Sequence, residues 1–161
     1  MIKHLTLKLA TMADAEILFQ WRNDPETKKV SIDTDDVEWE DHLEWLQESL
    51  KNPNRQIFIA WADILINTAL ECSIIQPVGI VRVDYTLSDD THELSWTVSP
   101  RARGQGTGKK IVAILASQLV DKDICAVIKP DNNASIRIAG RAGMKYQGQQ
   151  SGYFYYFRKG E

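Results

Sequence analysis

The sequence has few of the features that mark secreted, metal-binding or membrane-spanning proteins. Its two cysteines, Cys72 and Cys125, lie far apart without CxxC or Cys/His spacing, so neither a disulfide framework nor a metal site is indicated. No apolar run is long enough to span a bilayer, and the N-terminal residues alternate instead of forming the apolar core of a signal peptide. These absences predict a cytoplasmic protein with no membrane partner, in which both cysteines are core side chains.

An excess of charge of one sign is also missing. The 161 residues include 19 Lys and Arg against 22 Asp and Glu, which gives a formal net charge of −3. No general attraction to nucleic acid is therefore expected. A chain of this length forms one domain, 1–161, that buries roughly 68–70% of the surface of its unfolded chain.

The most informative stretch is a loop with glycines at alternate positions, Gly104, Gly106 and Gly108, flanked by Arg103 and Lys109. It follows an alternating, strand-like run and opens a helix-like one. Glycines let the backbone approach an anion closely, and the first turn of a helix adds unpaired N–H donors. The stretch predicts a cradle for a phosphorylated cofactor, and a surface turn rich in Gly and Arg is the alternative.

Spacing excludes two other phosphate loops. A Walker loop requires Gly where Arg103 stands and Ser or Thr where Lys110 stands. The dinucleotide fingerprint fails because the glycines follow G-x-G-x-G and lie two thirds of the way along the chain. The pattern that fits is Arg-x-x-Gly-x-Gly, formed by Arg103, Gly106 and Gly108.

Hydrophobic periodicity predicts a mixed α/β sheet with helices on both faces. The predicted strands cover 4–10, 56–61, 78–85, 92–99, 124–128, 144–149 and 153–159, and the predicted helices cover 11–23, 36–51, 106–119 and 134–142. These are about seven strands and about four helices. For residues 63–77, the sequence does not decide between a further hairpin and an irregular excursion.

The glycine loop resembles the acetyl-CoA pyrophosphate loop of the GNAT superfamily of N-acetyltransferases, and the element order resembles the GNAT fold over essentially the whole chain. The segment from Asn132 to Met144, N-x-x-S-I followed by R-A-G-M, looks like the family's N-x-x-S-I…K-x-G-F motif. The resemblance implies transfer of an acetyl group from acetyl-CoA, as co-substrate, to a primary amine, with 92–99 and 124–128 as splayed parallel strands. It implies cofactor contacts from Thr97, Val98, Ser99, Arg103, Gly104, Gln105, Gly106, Thr107, Gly108, Lys109, Asn132 and Ser135.

One position departs from the family pattern. Many members carry a tyrosine in the last helix that protonates the leaving CoA thiolate, and the matching residue here is Ala139. Solvent remains open as the source of that proton, as do four tyrosines of the C-terminal strands, Tyr146, Tyr153, Tyr155 and Tyr156. The departure also leaves open a non-catalytic CoA-binding module.

The N-terminal half resembles a narrower group. Trp21-Arg22-Asn23-Asp24-Pro25 and His42-Leu43-x-Trp45 look like acetyltransferases of nucleotide-linked amino sugars, of the pseudaminic acid pathway type. This likeness implies such a sugar as acceptor, with Arg22 and His42 at its pocket and Arg82 and Asp84, two apart on one strand face, on its wall. The alternatives are a protein N-terminus and a small-molecule amine such as an aminoglycoside. The chain is expected to be a monomer or a homodimer.

Glu93, on the polar side of the strand before the loop, is the candidate general base that makes the amine neutral, directly or through a water. The alternative for Glu93 is an ion pair with Arg82 across the sheet. His42 has the alternative of a satisfied core histidine, and Arg22 that of a structural ion pair. The acids of 33–40 are interpreted as matching the dipole of the second helix, with a cation-binding patch as the alternative.

Overall fold

The structure is a computed structural model that describes residues 2–67 and 69–161. Its strands are β1 (Ile2–Leu9), β2 (Arg55–Asn67), β3 (Cys72–Thr86), β4 (Thr91–Val98), β5 (Asp123–Ile128), β6 (Lys145–Gln150) and β7 (Tyr153–Arg158). Its α-helices are α1 (Ala15–Arg22), α2 (Pro25–Val30), α3 (Trp39–Lys51), α4 (Thr107–Gln118) and α5 (Asn133–Arg141). The strands form one sheet in the order β1-β2-β3-β4-β5-β7-β6. The prediction of a mixed α/β fold with about seven strands is confirmed, with five α-helices among the described residues.

Helices cover both faces of the sheet. On one face, α4 packs Ile111 and Val112 against a cluster of buried strand residues that includes Val81 and Leu94. On the other face, a second cluster joins α1 and α3 to β2 through Leu18, Leu46, Ile57 and Ile59. None of the helices in the described ranges has the length and apolar character needed to cross a bilayer.

A short helix, α2, lies between the first two predicted helices, where no element was predicted. The Asp24 side chain accepts a hydrogen bond from Thr27 N at 3.0 Å, and Pro25 fills the first helical turn, where its missing N–H is not needed. The proline that ends α1 therefore also begins α2. The next helix, α3, starts at Trp39, later than the predicted start at 36.

The spacing of Trp39, His42, Leu43, Leu46 and Leu50 predicts one buried face for α3. The buried residues of this helix are His42, Leu46 and Ser49. Trp39 and Leu50 are instead 37% and 36% exposed.

The segment 63–77 belongs to a long hairpin. β2 and β3 pair antiparallel from Arg55 with Asp84 to Asn67 with Cys72. The register shifts beside Pro77, which suits a residue that cannot donate to a ladder. Cys72 is therefore exposed, contrary to its prediction as a core side chain, whereas Cys125 is buried as predicted.

The strands β4 and β5 separate after a short parallel contact. They pair only from Thr91 with Asp123 to Glu93 with Cys125, although β4 continues to Val98 and β5 to Ile128. Beyond Glu93, backbone groups of both strands face each other without a ladder. The predicted splayed parallel pair is present, and it opens a cleft in the sheet.

Gly79 allows α4 to pack closely on the sheet, and its replacement tests that packing. A Cβ at Gly79 would lie 2.6 Å from Thr97 O and 2.8 Å from Ile111 Cδ1. Because the carbonyl belongs to the neighbouring strand, we expect Gly79→Ala to lower the free energy of unfolding by about 1–3 kcal/mol. Urea unfolding measures the change. In the control Gly140→Ala the new Cβ meets nothing within 4 Å, and equal stabilities of the two variants would contradict the prediction.

Candidate functional site

A cleft of about 1110 Å³ begins at the splayed strands and extends to α1, α2 and α3. Thirteen of the predicted site residues line it: Arg22, His42, Arg82, Thr97, Val98, Arg103, Gly104, Gly106, Thr107, Gly108, Lys109, Asn132 and Ser135. Asp84, Glu93, Ser99 and Gln105 are outside its lining. The structure therefore brings the glycine loop and the N-terminal helices to one cavity.

The glycine loop has the geometry of an anion cradle. Gly104 and Gly106 have φ angles of +75° and +74°, which side chains other than glycine rarely adopt. Gly106 caps α4 with no side-chain hydrogen bond, so no side chain competes for the first-turn N–H groups. Successive N–H groups at such a turn and the start of a helix favour a phosphate. The residues present thus fit a pyrophosphate group.

Arg103 ties this loop to α2. Its Nη2 donates to Asp24 Oδ1 at 2.5 Å and to Thr27 Oγ1 at 2.8 Å. Burial acts to raise the pKa of Asp24, but the bonds from Arg103 and Thr27 outweigh it and hold that pKa below its usual value. The guanidinium expected to face the cofactor is therefore also an anchor for the helix beside the cleft.

Asn132 and Ser135 owe their spacing to helix capping. The Asn132 side chain accepts a hydrogen bond from Ser135 N at 3.1 Å at the start of α5. An N-cap asparagine and the third helical residue form this contact in helices of any function. The N-x-x-S pattern thus has a structural cause beside its place on the cleft.

Glu93 lies where β4 and β5 diverge, opposite Asp84 on β3 and Cys125 on β5. It makes no ion pair with any described residue. Arg82, its expected alternative partner, instead lies with Nε 2.8 Å from Asp84 Oδ2. Burial raises the pKa of Glu93, the Asp84 charge raises it further, and Arg82 partly opposes the change. Once ionised, Glu93 is a better base than an ordinary glutamate.

Asp84, which lies opposite Glu93 on β3, is held by an ion pair with Arg55. Arg55 Nε lies 2.5 Å from Asp84 Oδ1, and Arg55 Nη1 also donates to Ser49 Oγ at 3.0 Å. Asp84 thus joins β2, β3 and α3 in an ion network instead of lining the cavity wall.

Tyr155, one of the four tyrosines considered as proton donors, lies near Glu93 and Cys125. Burial raises the pKa of Cys125 to about 11. Burial and a hydrogen bond with Cys125 raise the pKa of Tyr155 to about 12, and the charge of Glu93 adds to the shift. Tyr146 and Tyr156 contact each other on the face of the sheet opposite to Tyr155. Ala139 is fully buried.

Arg22 is only partly satisfied at the other end of the cleft. Its Nη2 donates to Asp33 O at 3.2 Å and lies 3.7 Å from Asp33 Oδ2. Its Nη1 is buried without a hydrogen-bond partner. A guanidinium N–H in this state favours an acceptor atom supplied by a ligand.

His42 joins α3 to α1. It is 2% exposed, and its Nε2 lies 2.8 Å from Ala15 O. The rings of Phe19, Trp39 and Trp45 surround it at centroid distances of 5.4, 5.9 and 5.7 Å. Burial lowers the pKa of His42, and the bond to Ala15 only partly opposes this. A neutral imidazole thus lines the cleft while it holds the two helices together.

Acidic side chains line the same end of the cleft: Glu26, Asp33, Asp36 and Asp41. Asp36 forms an ion pair with Lys28, and Asp33 faces Arg22. Asp41 also lies in the first turn of α3, where the helix dipole favours a carboxylate. Of the acids of 33–40, Glu40 lies in the first turn of α3, whereas Asp33 and Asp36, on the cavity wall, pair with Arg22 and Lys28.

Sequence reasoning missed three groups at this site. Asp24 and Thr27 hold the loop arginine, but their sequence positions suggested only the end of a helix. Trp96 lines the cleft, and its Nε1 is buried without a hydrogen-bond partner. The available signal was an indole, which carries an N–H donor, on an otherwise apolar strand face.

Comparisons with known proteins agree with this geometry. The family model "Acetyltransferase (GNAT) domain" matches residues 4–145, and no curated protein sequence matches. A domain from Methanocaldococcus jannaschii shares the fold with a TM-score of 0.81 and 23% identity, over 96% of this chain and 97% of that one. Aminoglycoside acetyltransferase AAC(6')-Ib in complex with coenzyme A has a TM-score of 0.76 and 19% identity, over 97% of this chain and 95% of that one. The Vibrio cholerae spermidine N-acetyltransferase in complex with CoA and spermine has a TM-score of 0.76 and 11% identity, over 95% of this chain and 92% of that one.

Proposed function

The chain belongs to the GNAT acetyltransferase family and is an acetyl-CoA-dependent N-acetyltransferase, and from that premise we propose that its acceptor is the primary amine of a nucleotide-linked amino sugar. The observation that supports this acceptor is Arg22, a residue of the cleft lining whose buried Nη1 has no hydrogen-bond partner. Arg82 also lines the cleft, where its Nε pairs with Asp84. A guanidinium with a donor to spare, as Arg22 has, suits an acceptor that carries phosphate or several hydroxyl oxygens.

Acetyl-CoA supplies the activated acetyl group, and the chain's residues position and deprotonate the amine. Glu93 takes the ammonium proton, directly or through a water, because only a neutral amine carries the electron pair that attacks. The N–C bond forms as the C–S bond breaks. The attacking nitrogen loses its second proton to solvent. The thiolate takes a proton from solvent or from Tyr155, whose pKa, raised to about 12, makes it a weaker acid than an ordinary tyrosine.

The acceptor end of the cleft is tested by replacing Arg22. We expect Arg22→Ala to lower kcat/KM for the acceptor by roughly 10- to 100-fold, as for the loss of a hydrogen bond from a charged group. The KM for acetyl-CoA should change little, since the glycine loop lies at the other end. Arg22→Lys should restore part of the loss, because a point charge cannot reproduce the guanidinium fork. His42→Ala should also weaken the acceptor kinetics, provided that thermal melts show a folded protein.

The assay compares a nucleotide-linked 4-amino sugar with a peptide that starts with Ala or Ser. Arg141→Ala is the matched control, because Arg141 is exposed on α5 and outside the cleft lining. Preference for the peptide, or acceptor kinetics that ignore the Arg22 substitutions, would reject the sugar proposal. Absence of thiol release with every amine would favour a non-catalytic CoA-binding module.

The acids of the cleft support a second candidate, a cationic amine such as an aminoglycoside or a polyamine. Glu26 and Asp41 have no ion-pair partner among the described residues, and both line the cleft. A polyamine or an aminoglycoside carries positive charges that would complement them. Including spermidine and kanamycin in the panel, with Asp41→Asn, separates the candidates. Loss of activity only on the cationic acceptors would favour this second class.

A further inference from the structure

The short helix α2 is held in place by polar side chains instead of apolar packing. Of its six residues, Pro25–Val30, all of which the structure describes, only Thr27 is buried, and Thr27 is polar. A helix of this length is not stable on its own, because its nucleation costs more free energy than so few hydrogen bonds return. Contacts with the rest of the fold must therefore keep α2 folded and in position.

Two of these contacts join α2 to opposite sides of the cleft. At its N-terminal end, Asp24 Oδ1 and Thr27 Oγ1 both accept hydrogen bonds from Arg103 Nη2, in the loop that follows β4. At its C-terminal end, Lys29 O accepts a hydrogen bond at 3.2 Å from Lys129 Nζ, directly after β5. Because β4 and β5 diverge towards these ends, α2 spans the gap between them.

The gap that α2 spans is the part of the cleft next to the anion cradle. Glu26 and Val30 of α2 line the cleft, as do Arg103 and Lys129 themselves. The cradle lies at the same end, because Arg103 belongs to the glycine loop. A ligand held by the loop therefore lies next to α2, and α2 narrows the way out of the cleft while both of its ends are tied.

We propose that Asp24 and Lys129 are positioning residues of the cofactor site, which tie α2 across the cleft as a strap that closes over bound CoA. Both act through α2 and take no part in the acetyl transfer itself. The strap opens when its ties break, so their strength determines how fast CoA leaves after the transfer. This role rests on the use of acetyl-CoA and is independent of the acceptor's identity.

Asp24→Asn separates the tie from the helix cap. Asparagine caps a helix as well as aspartate does, so α2 still begins at Pro25, but the charge that holds Arg103 is removed. We expect the dissociation rate constant of CoA, measured by stopped-flow displacement, to rise by roughly tenfold, as for a lost hydrogen bond between charged groups. The KM for acetyl-CoA should rise, whereas kcat should not fall and the Tm should change little.

The direction of this change distinguishes a strap from a simple competitor. If Asp24 only occupied Arg103, its substitution would free the guanidinium for the pyrophosphate, and CoA would dissociate more slowly. If Asp24 holds the strap, CoA dissociates faster although the cleft has lost a negative charge.

Lys129→Met removes the second tie and should raise the same rate constant by about threefold, because a single hydrogen bond at the surface contributes less. Lys28→Met is the matched control. Lys28 lies on the same helix, pairs with Asp36 instead of with a residue beyond the cleft, and is outside the cleft lining. This variant should release CoA as the unchanged protein does. Hydrogen exchange gives a second readout: CoA should protect the amides of 26–30 in Lys28→Met and protect them less in Asp24→Asn.

Three outcomes would overturn the proposal. Unchanged or slower dissociation of CoA in Asp24→Asn means that the ion pair does not retain the cofactor. Equally fast dissociation in Lys28→Met means that the loss of any ion pair of α2 has this effect. Slower association with unchanged dissociation in Lys129→Met means that Lys129 attracts the anion and does not hold a strap. An incorrect acceptor assignment leaves all these rate constants unaltered, so the two proposals fail separately.

Discussion

Gly106→Val is expected to abolish the binding of acetyl-CoA in a protein that still folds. The φ of Gly106 is +74°, a conformation in which a β-branched residue is strongly disfavoured. No protein atom lies within 4 Å of the position that a Cβ would take, so the substitution meets no contact within the fold. The loop relieves the strain by turning its amides away from the phosphate position, and the new side chain projects where the anion must approach.

Calorimetry and thermal melts measure the effect. A ligand at 100 times its Kd stabilises the native state by about 2.7 kcal/mol, so acetyl-CoA should raise the Tm of the unchanged protein and not that of Gly106→Val. Gly140→Val is the control, because Gly140 lies within α5 and a Cβ there also meets nothing within 4 Å. Unchanged affinity in a folded Gly106→Val protein would refute the assignment of the loop to the cofactor.

The glycine loop was predictable because its chemistry is local. Three glycines at fixed spacing after a strand and before a helix determine backbone angles and amide directions without any distant contact. The strands and long helices followed from the same kind of local signal, since their apolar residues recur at periods of 2 and 3.6.

Two elements were hard to predict because they lie beside prolines. Pro25 signals the end of one helix and the first turn of another equally well, and only the bond from Thr27 N to Asp24 shows that α2 exists. Pro77 suggests the end of a strand, whereas β3 continues past it at a shift of register. In both cases a tertiary or cross-strand contact outweighs the local preference.

Pairings within the cleft were not predictable. From sequence, Arg82 can pair with Asp84, two residues along the same strand face, or with Glu93 on the neighbouring strand. In the structure Arg82 forms an ion pair with Asp84, and Asp84 also pairs with Arg55 from a third strand, β2. The unpartnered Nε1 of Trp96 is likewise a property of packing, since the sequence shows the donor but not the absence of an acceptor.

Glu93→Gln is expected to lower kcat by roughly 10²–10⁴-fold, the usual contribution of a general base, while acetyl-CoA affinity stays unchanged. The pKa of Glu93 is raised above its ordinary value of 4.5 by burial and by the charge of Asp84. The base must be ionised to work, so the acidic limb of the kcat/KM profile should lie above pH 4.5 and should disappear in Glu93→Gln. The ionised form is disfavoured in the fold, so stability falls as pH rises through the pKa of Glu93. The Gln variant should lack this fall.

Asp84→Asn distinguishes a general base from a residue that only positions the substrate. The substitution removes the charge that raises the pKa of Glu93 and frees Arg82 to approach the carboxylate. Both effects lower the pKa of Glu93, so the acidic limb should move to lower pH while activity on its plateau persists. A limb that stays in place in Asp84→Asn belongs to another group, such as the acceptor amine. Near-normal turnover in Glu93→Gln with the same limb would mean that alignment of an already neutral amine accounts for the rate.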